Sequence, residues 1–172
     1  MFMKNFILFI AVFISIPSFS QDLKIVKTTD YEISYPSNLR YDDSKTRGTE
    51  FIIYTEKEDE KDTFIENINL LIQNLKGYQI DLNQYIEITE KQINENGILI
   101  ESKRTVLNNS EVHILTYEAN LNVRNLKFHQ YILVKNEKAY VLTYTAEIDK
   151  FDIYFPEIIK IFNSFSLKWL LS

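Results

Sequence analysis

Cysteine is absent from the 172 residues, and there are only three glycines, three prolines and two histidines. Without thiols there is no disulfide scaffold, thiol nucleophile, cysteine-ligated zinc, iron–sulfur centre or lipid anchor on cysteine. Gly48, Gly77 and Gly97 stand too far apart to form a phosphate-cradling loop, a dinucleotide fingerprint or a Gly-x-Ser-x-Gly nucleophile elbow. So little glycine and proline also excludes a linker-rich or disordered chain. Positive charge is not in surplus either. Nineteen Lys and Arg face 24 Asp and Glu, a net charge of −5, so nucleic acid is not an expected partner. What the chain does have is apolar and aromatic: 45% hydrophobic and 14% aromatic residues, enough for one domain with its own core.

The first 20 residues read as a targeting segment. Lys4 supplies a positive start, Phe6 to Ile16 form an eleven-residue apolar run, and Pro17 breaks it. The run is short for a membrane span, which needs about 20 residues. Ser18-Phe19-Ser20 places small residues where a signal peptidase cuts, so cleavage is expected between Ser20 and Gln21. The alternatives are an uncleaved anchor or a buried N-terminal helix. Residues 21–172 would then be one domain of 152 residues, and losing Lys4 leaves 18 basic against 24 acidic side chains, −6. No later stretch is long and apolar enough to cross a membrane, and Trp169-Leu170-Leu171 is only a short apolar tail. The expected location is periplasmic or secreted.

Alternation dominates the rest of the chain. Tyr31, Ile33 and Tyr35 share one face of a strand that Pro36 ends. Further strands are expected over Phe51 to Tyr54 and Phe64 to Leu75, joined by the charged loop Glu56 to Asp62. Asp81 reads as an N-cap, followed by Leu82, Tyr85, Ile86, Thr89 and Ile93 at helical spacing and a stop at Asn96-Gly97. Four strands come next: Ile98 to Leu107, Glu111 to Leu121, Leu126 to Lys135 and Lys138 to Glu147. Their short Asn-rich connections force an antiparallel meander. A second helix is expected from Asp149 to Ser164, with Asp149 and Asp152 as a capping box and Pro156 near its first turn. Phe128, Ile132 and Val134 oppose Tyr131 and Leu133, so such strands are apolar on both faces. The expectation is an α+β domain: an antiparallel sheet of six to seven strands with two main helices on opposite faces, a three-layer α-β-α sandwich.

The order of these elements resembles the PsbP-like family, which includes the extrinsic P subunit of oxygen-evolving complexes, bacterial PsbP-related proteins and the DcrB proteins. The resemblance lies in Tyr31-x-Ile33-x-Tyr35-Pro36, the strand Phe64 to Leu75, and the helix from Asp81. It continues through Gln130-Tyr131, Ala139 to Tyr144 and the closing Ser164-Phe165. Leu39 departs from it, since such proteins often carry tryptophan there. The resemblance implies the fold, an exported bacterial setting and a non-enzymatic role. It carries over no metal ligand or partner-contact residue.

Few residues are of a kind that performs chemistry. His129 would lie opposite Glu118 if the turn between their strands centres near Val123 and Arg124, and such a pair would raise the imidazole pKa. It reads either as a general base of a small hydrolase or as a half-buried, hydrogen-bonded histidine. Arg40, Lys45 and Arg47 beside Tyr41 read either as an anion site or as a surface loop with local ion pairs. Glu56 to Asp62 is acidic enough to gather a hard cation but lacks a calcium-loop frame, and two lysines interrupt it. No catalytic constellation and no cofactor motif emerges. The expected role is an exported, non-catalytic binding or assembly module for an unknown protein partner or small ligand. A small-ligand carrier is the first alternative and a hydrolase using Glu118 and His129 the second.

Overall fold

The computed structural model describes residues 22–121 and 123–168. The expected leader, its cleavage point at Ser20 and Gln21, and the tail from Trp169 lie outside the described residues. Twelve helices and strands succeed one another: β1 (Leu23–Lys27), β2 (Tyr31–Pro36), β3 (Arg40–Asp42), β4 (Phe51–Tyr54), β5 (Asn67–Asn74), α1 (Leu82–Asn96), β6 (Gly97–Leu107), β7 (Ser110–Leu121), β8 (Arg124–Lys135), β9 (Lys138–Glu147), α2 (Ile148–Ser164) and β10 (Ser166–Leu167). Among the described residues no helix is long and apolar enough to cross a membrane.

The main sheet has seven strands in the order β3-β4-β5-β9-β8-β7-β6, and every neighbouring pair is antiparallel. Three two-residue turns build its meander, with Leu107 paired to Ser110, Leu121 to Arg124, and Lys135 to Lys138. Asn108, Asn109, Asn136 and Glu137 all have positive φ, as a tight hairpin turn requires. The outer strand β6 carries an irregularity between Leu99 and Glu101 that leaves Ile100 out of register with β7.

Two-sided apolar strands were the basis for expecting helices on both faces, and both faces are covered. Leu115, Ile132 and Val141 meet Leu82, Ile86 and Ile93 of α1. On the reverse face Ile114, Tyr131 and Leu142 meet Phe151, Ile158, Ile161 and Phe162 of α2. Tyr131 and Phe162 pack edge to face at 4.9 Å. The fold is α+β in three layers.

Three features differ from the sequence expectation. First, the main sheet has seven strands, within the expected six to seven, but β2 is not one of them. It is the centre of a second sheet, β1-β2-β10, that lies beside α2 and buries Tyr31, Ile33 and Tyr35 in the same core. The flanking strand β10 and the strand β3 are only two and three residues long, and the five-residue β1 is almost wholly exposed, so none of them shows a buried alternating face. Secondly, the strand expected over Phe64 to Leu75 is shorter, Asn67–Asn74. Thirdly, α2 begins at Ile148 after Glu147, which makes no side-chain cap, and Pro156 sits inside the helix. An interior proline loses one backbone hydrogen bond. The four buried apolar side chains of α2 offset that loss.

Asp81 does cap α1. Its carboxylate accepts the Gln84 amide hydrogen at 2.9 Å while Gln84 Oε1 accepts that of Asp81 at 3.0 Å. Asp81→Ala should therefore lower stability by about 1 kcal/mol, measured by urea denaturation. An unchanged midpoint would mean that packing alone holds this helix end.

Candidate functional site

The two faces of the main sheet are covered unequally. Seven strands span about 29 Å at about 4.8 Å per spacing, whereas one helix is about 10–12 Å across. On one face α2 shares the work with the small sheet. On the other α1 works alone, over β6, β7 and β8. Beside it, towards β9 and β5, a cleft of about 370 Å³ remains open.

Helical spacing supplies one wall. Tyr85, Thr89, Gln92 and Asn96 recur at i, i+4, i+7 and i+11, so one stripe of α1 lines the cleft. Leu71 of β5, Val141 of β9, Ile132 and Phe128 of β8 and Tyr117 of β7 make the floor. Tyr117 and Phe128 are directly opposed across β7 and β8 and stack at 4.7 Å. None of the 15 lining residues is charged.

The polar groups at this cleft differ in state. Tyr85 donates to Gln73 Oε1 at 2.6 Å, which closes one end of the wall. Gln130 donates from Nε2 to Thr143 Oγ1 at 3.1 Å, but its Oε1 is shielded from solvent with no hydrogen-bond partner among the described residues. Burial pushes the Tyr117 hydroxyl up to about 12, so it stays protonated and able to donate. Sequence patterning did not find this site. Its residues come from six elements, and the opening exists because a single helix underfills a wide sheet.

The sequence-selected residues fall elsewhere. His129 pairs with Thr116 across the sheet, and Glu118 pairs with Lys127. The turn centres one residue earlier than expected, and that shift displaces every cross-strand partner by two. The expected Glu118–His129 pair is therefore absent. His129 is 4% exposed beneath α2, ringed by Tyr131, Phe155 and Phe162 at 5.0–5.4 Å between ring centres. Thr116 Oγ1 lies 2.9 Å from its Nδ1. Burial takes its pKa down to about 4, opposite to the rise expected from a carboxylate partner.

Arg40 and Tyr41 are neighbours on β3 and diverge. The Arg40 guanidinium lies 3.8 Å above the Tyr54 ring, while Tyr41 packs inward on Tyr35 and Phe51. Arg47 sits in a left-handed turn and Lys45 pairs with Glu50 at 3.5 Å, so these groups do not converge. In the acidic loop, Asp59 accepts the amide hydrogens of Lys61 and Asp62, at 2.7 and 2.9 Å. Glu58 pairs with Lys150 and accepts from Tyr154 at 2.6 Å. Those carboxylates are engaged within the loop or by α2, and no three or more acidic or imidazole groups among the described residues are arranged to hold a metal ion.

One polar cluster escaped the sequence reading. His113, beneath α1, has Ser102 Oγ 2.8 Å from Nε2, and Arg104 Nε donates to its Nδ1 at 3.2 Å. Ser102 donates to Glu90 of α1. Serine, histidine and glutamate meet, but the polarity is not that of a nucleophile. Arg104 can only donate, so the neutral ring carries its proton on Nε2 and gives it to Ser102, whose own proton goes to Glu90. An activating histidine would accept from the serine instead. Burial, then Arg104, lowers the His113 pKa and keeps the ring neutral. The cluster straps α1 to β6 and β7. The three residues lie on separate elements, so no local motif announced them.

No family model and no curated protein matches the chain. Solved structures do. A cyanobacterial PsbP from Synechocystis superposes with a TM-score of 0.57 at 16% identity, over 85% of this chain and 92% of that one. LpqN of Mycobacterium tuberculosis, described as involved in cell envelope biogenesis, gives 0.61 at 13%, over 87% and 92%. A putative regulator of unknown function from Pseudomonas aeruginosa gives 0.59 at 8%, over 83% and 94%. The chain has the PsbP-like fold, and at these identities the likeness concerns the fold.

Proposed function

We propose that this protein is an exported, non-catalytic binding module of the bacterial cell envelope whose ligand site is the cleft beside α1. The uncharged, aromatic-walled opening of about 370 Å³ carries the reading, since it is within the range of small-molecule sites. It favours the small-ligand form of the role over a protein-assembly surface. The leader-like start, with Lys4, the apolar run and Ser20-Gln21, supports export. So does the involvement of LpqN, a protein of the same fold, in cell envelope biogenesis. A hydrolytic role for Glu118 and His129 loses its support. The imidazole is sealed beneath α2, held neutral and not paired with that carboxylate.

The test uses N-phenylnaphthylamine, a neutral probe that brightens when it leaves water. Titration into the protein should give saturable fluorescence. Thr89→Trp, which puts a large ring into the cleft wall, should abolish it while the circular dichroism spectrum stays unchanged. Absence of binding to the wild-type protein, or equal binding by the variant, would overturn the reading.

A further inference from the structure

Glu66 carries a carboxyl where charge is costly. It ends the connection from β4 to β5, residues 55–66, and is only 2% exposed. Thr55 closes the root of that loop, its amide and hydroxyl both donating to the Glu66 carbonyl oxygen, at 2.9 and 3.2 Å. The Glu66 side chain forms no ion pair among the described residues. Its Oε1 accepts the Glu147 amide hydrogen at 3.5 Å, a long contact. Around it stand Asp59, Lys61 and Asp62 of the loop, Tyr144 and Glu147 of β9, and Lys150 and Tyr154 of α2. The cations there are engaged elsewhere: Arg124 holds Glu147 at 2.8 Å and Lys150 holds Glu58. Burial pushes the Glu66 carboxyl up, two backbone amides oppose that, and the charges of Asp62 and Glu147 add to it.

The far end of the loop is held in the opposite way. Glu58 is exposed, pairs with Lys150 and accepts from Tyr154 at 2.6 Å, and these donors hold its carboxyl below the ordinary range. Arg124 completes the attachment. It donates to the Thr63 carbonyl oxygen at 3.1 Å and lies 5.5 Å from the centre of the Phe64 ring. Loop and helix together wall a cavity of about 240 Å³ that Glu58, Glu66 and Lys150 all line. Closing the loop keeps Glu66 from water, and opening it restores hydration. Protonated Glu66 therefore favours the closed form, and closure weakens as pH rises through its titration. Glu58 has the reverse sign: it holds Lys150 when ionised, so closure weakens as pH falls through its titration.

We infer that the loop of residues 55–66 is a proton-controlled clasp on the start of α2, closed while Glu58 is charged and Glu66 is neutral and loosened when Glu66 loses its proton.

Digestion with proteinase K, counting cuts inside residues 56–64 by mass spectrometry, reads how often the loop opens. Comparing proteins at one pH cancels the pH dependence of the protease. At about pH 8 the wild-type loop should be cut several-fold faster than that of Glu66→Gln, whose amide keeps the shape and never ionises. At about pH 5 the two rates should converge. Glu58→Gln should be cut faster than the wild type at both values. Cuts outside the loop should not follow this pattern. The clasp is overturned by a ratio of wild type to Glu66→Gln that is the same at both pH values. It is overturned equally by a loop left uncut throughout, by Glu58→Gln no faster than the wild type, or by a ratio that changes alike at every site in the chain. If circular dichroism shows Glu66→Gln unfolded, the wild-type protein is compared with a free peptide of residues 55–66. A relative cleavage rate that does not rise with pH then overturns the clasp.

Discussion

Acidification from pH 6.5 to pH 4 will remove about 3 kcal/mol of stability through His129 alone. In the unfolded chain the imidazole titrates near 6.5. In the fold it does so at about 4, chiefly because burial beneath α2 disfavours the charged ring. Lys103 and Lys127 add to this and Glu101 opposes it. Between the two values the unfolded state binds the proton and the folded state does not, so stability falls as pH falls. Above 6.5 both states are neutral, and below about 4 both are charged, so the dependence is confined to that window. Carboxylates contribute their own acid sensitivity, and a variant separates the two. His129→Leu keeps an apolar body under α2 and leaves Thr116 without its partner, a loss of about 1 kcal/mol at neutral pH. Urea denaturation of both proteins at pH 7, 5 and 4 should show the variant declining less steeply, until at pH 4 it is the more stable. Parallel curves would mean that the buried ring is protonated in the fold after all.

Gly97→Ala will cost about 3 kcal/mol. Gly97 ends α1 and opens β6 with an extended backbone that any residue adopts, so conformational freedom is not its purpose. Its purpose is room. A Cβ there would sit far inside van der Waals distance of the Glu118 carbonyl oxygen, with Ala119 Cβ at 3.2 Å. Backbone, unlike a side-chain tip, cannot swing aside. The contrast is Gly77, whose φ of +86° calls for glycine but around which nothing lies within 4 Å. Gly77→Ala should cost about 1 kcal/mol, from the left-handed backbone alone. Thermal or urea unfolding of the pair distinguishes a steric from a conformational requirement. Equal losses would show that the close approach at β7 relaxes freely.

The sequence disclosed the meaning of His129 and Gly97 only in part, and the reasons are physical. Alternation along Phe128 to Val134 was enough to require cover on both faces, because a strand apolar on both parities cannot face water. The helix from Asp81 was legible because capping is local. The His129 partner was not, since register depends on where a turn closes, and a shift of one position exchanges Glu118 for Thr116. The departure of β2 into a second sheet was hidden as well: its alternation says which side is buried but not which strand lies beside it. Pro156 misled for a related reason. Helix propensity is a weak preference, and the apolar side of α2 overrides it. The cleft was the least legible feature, because no residue encodes it by itself.

The small sheet also bears on biosynthesis. β2 is flanked by β1 on one side and by β10, some 130 residues later, on the other. Ser164 reaches back to the backbone of Ser34, and Lys168 to that of Thr28. A ribosome delivers β10 some 130 residues after β2, so the small sheet is complete only when synthesis has reached Leu167. Until then Tyr31, Ile33 and Tyr35 lack their lid. The nascent polypeptide thus keeps this side of β2 unpaired until β10 has been made.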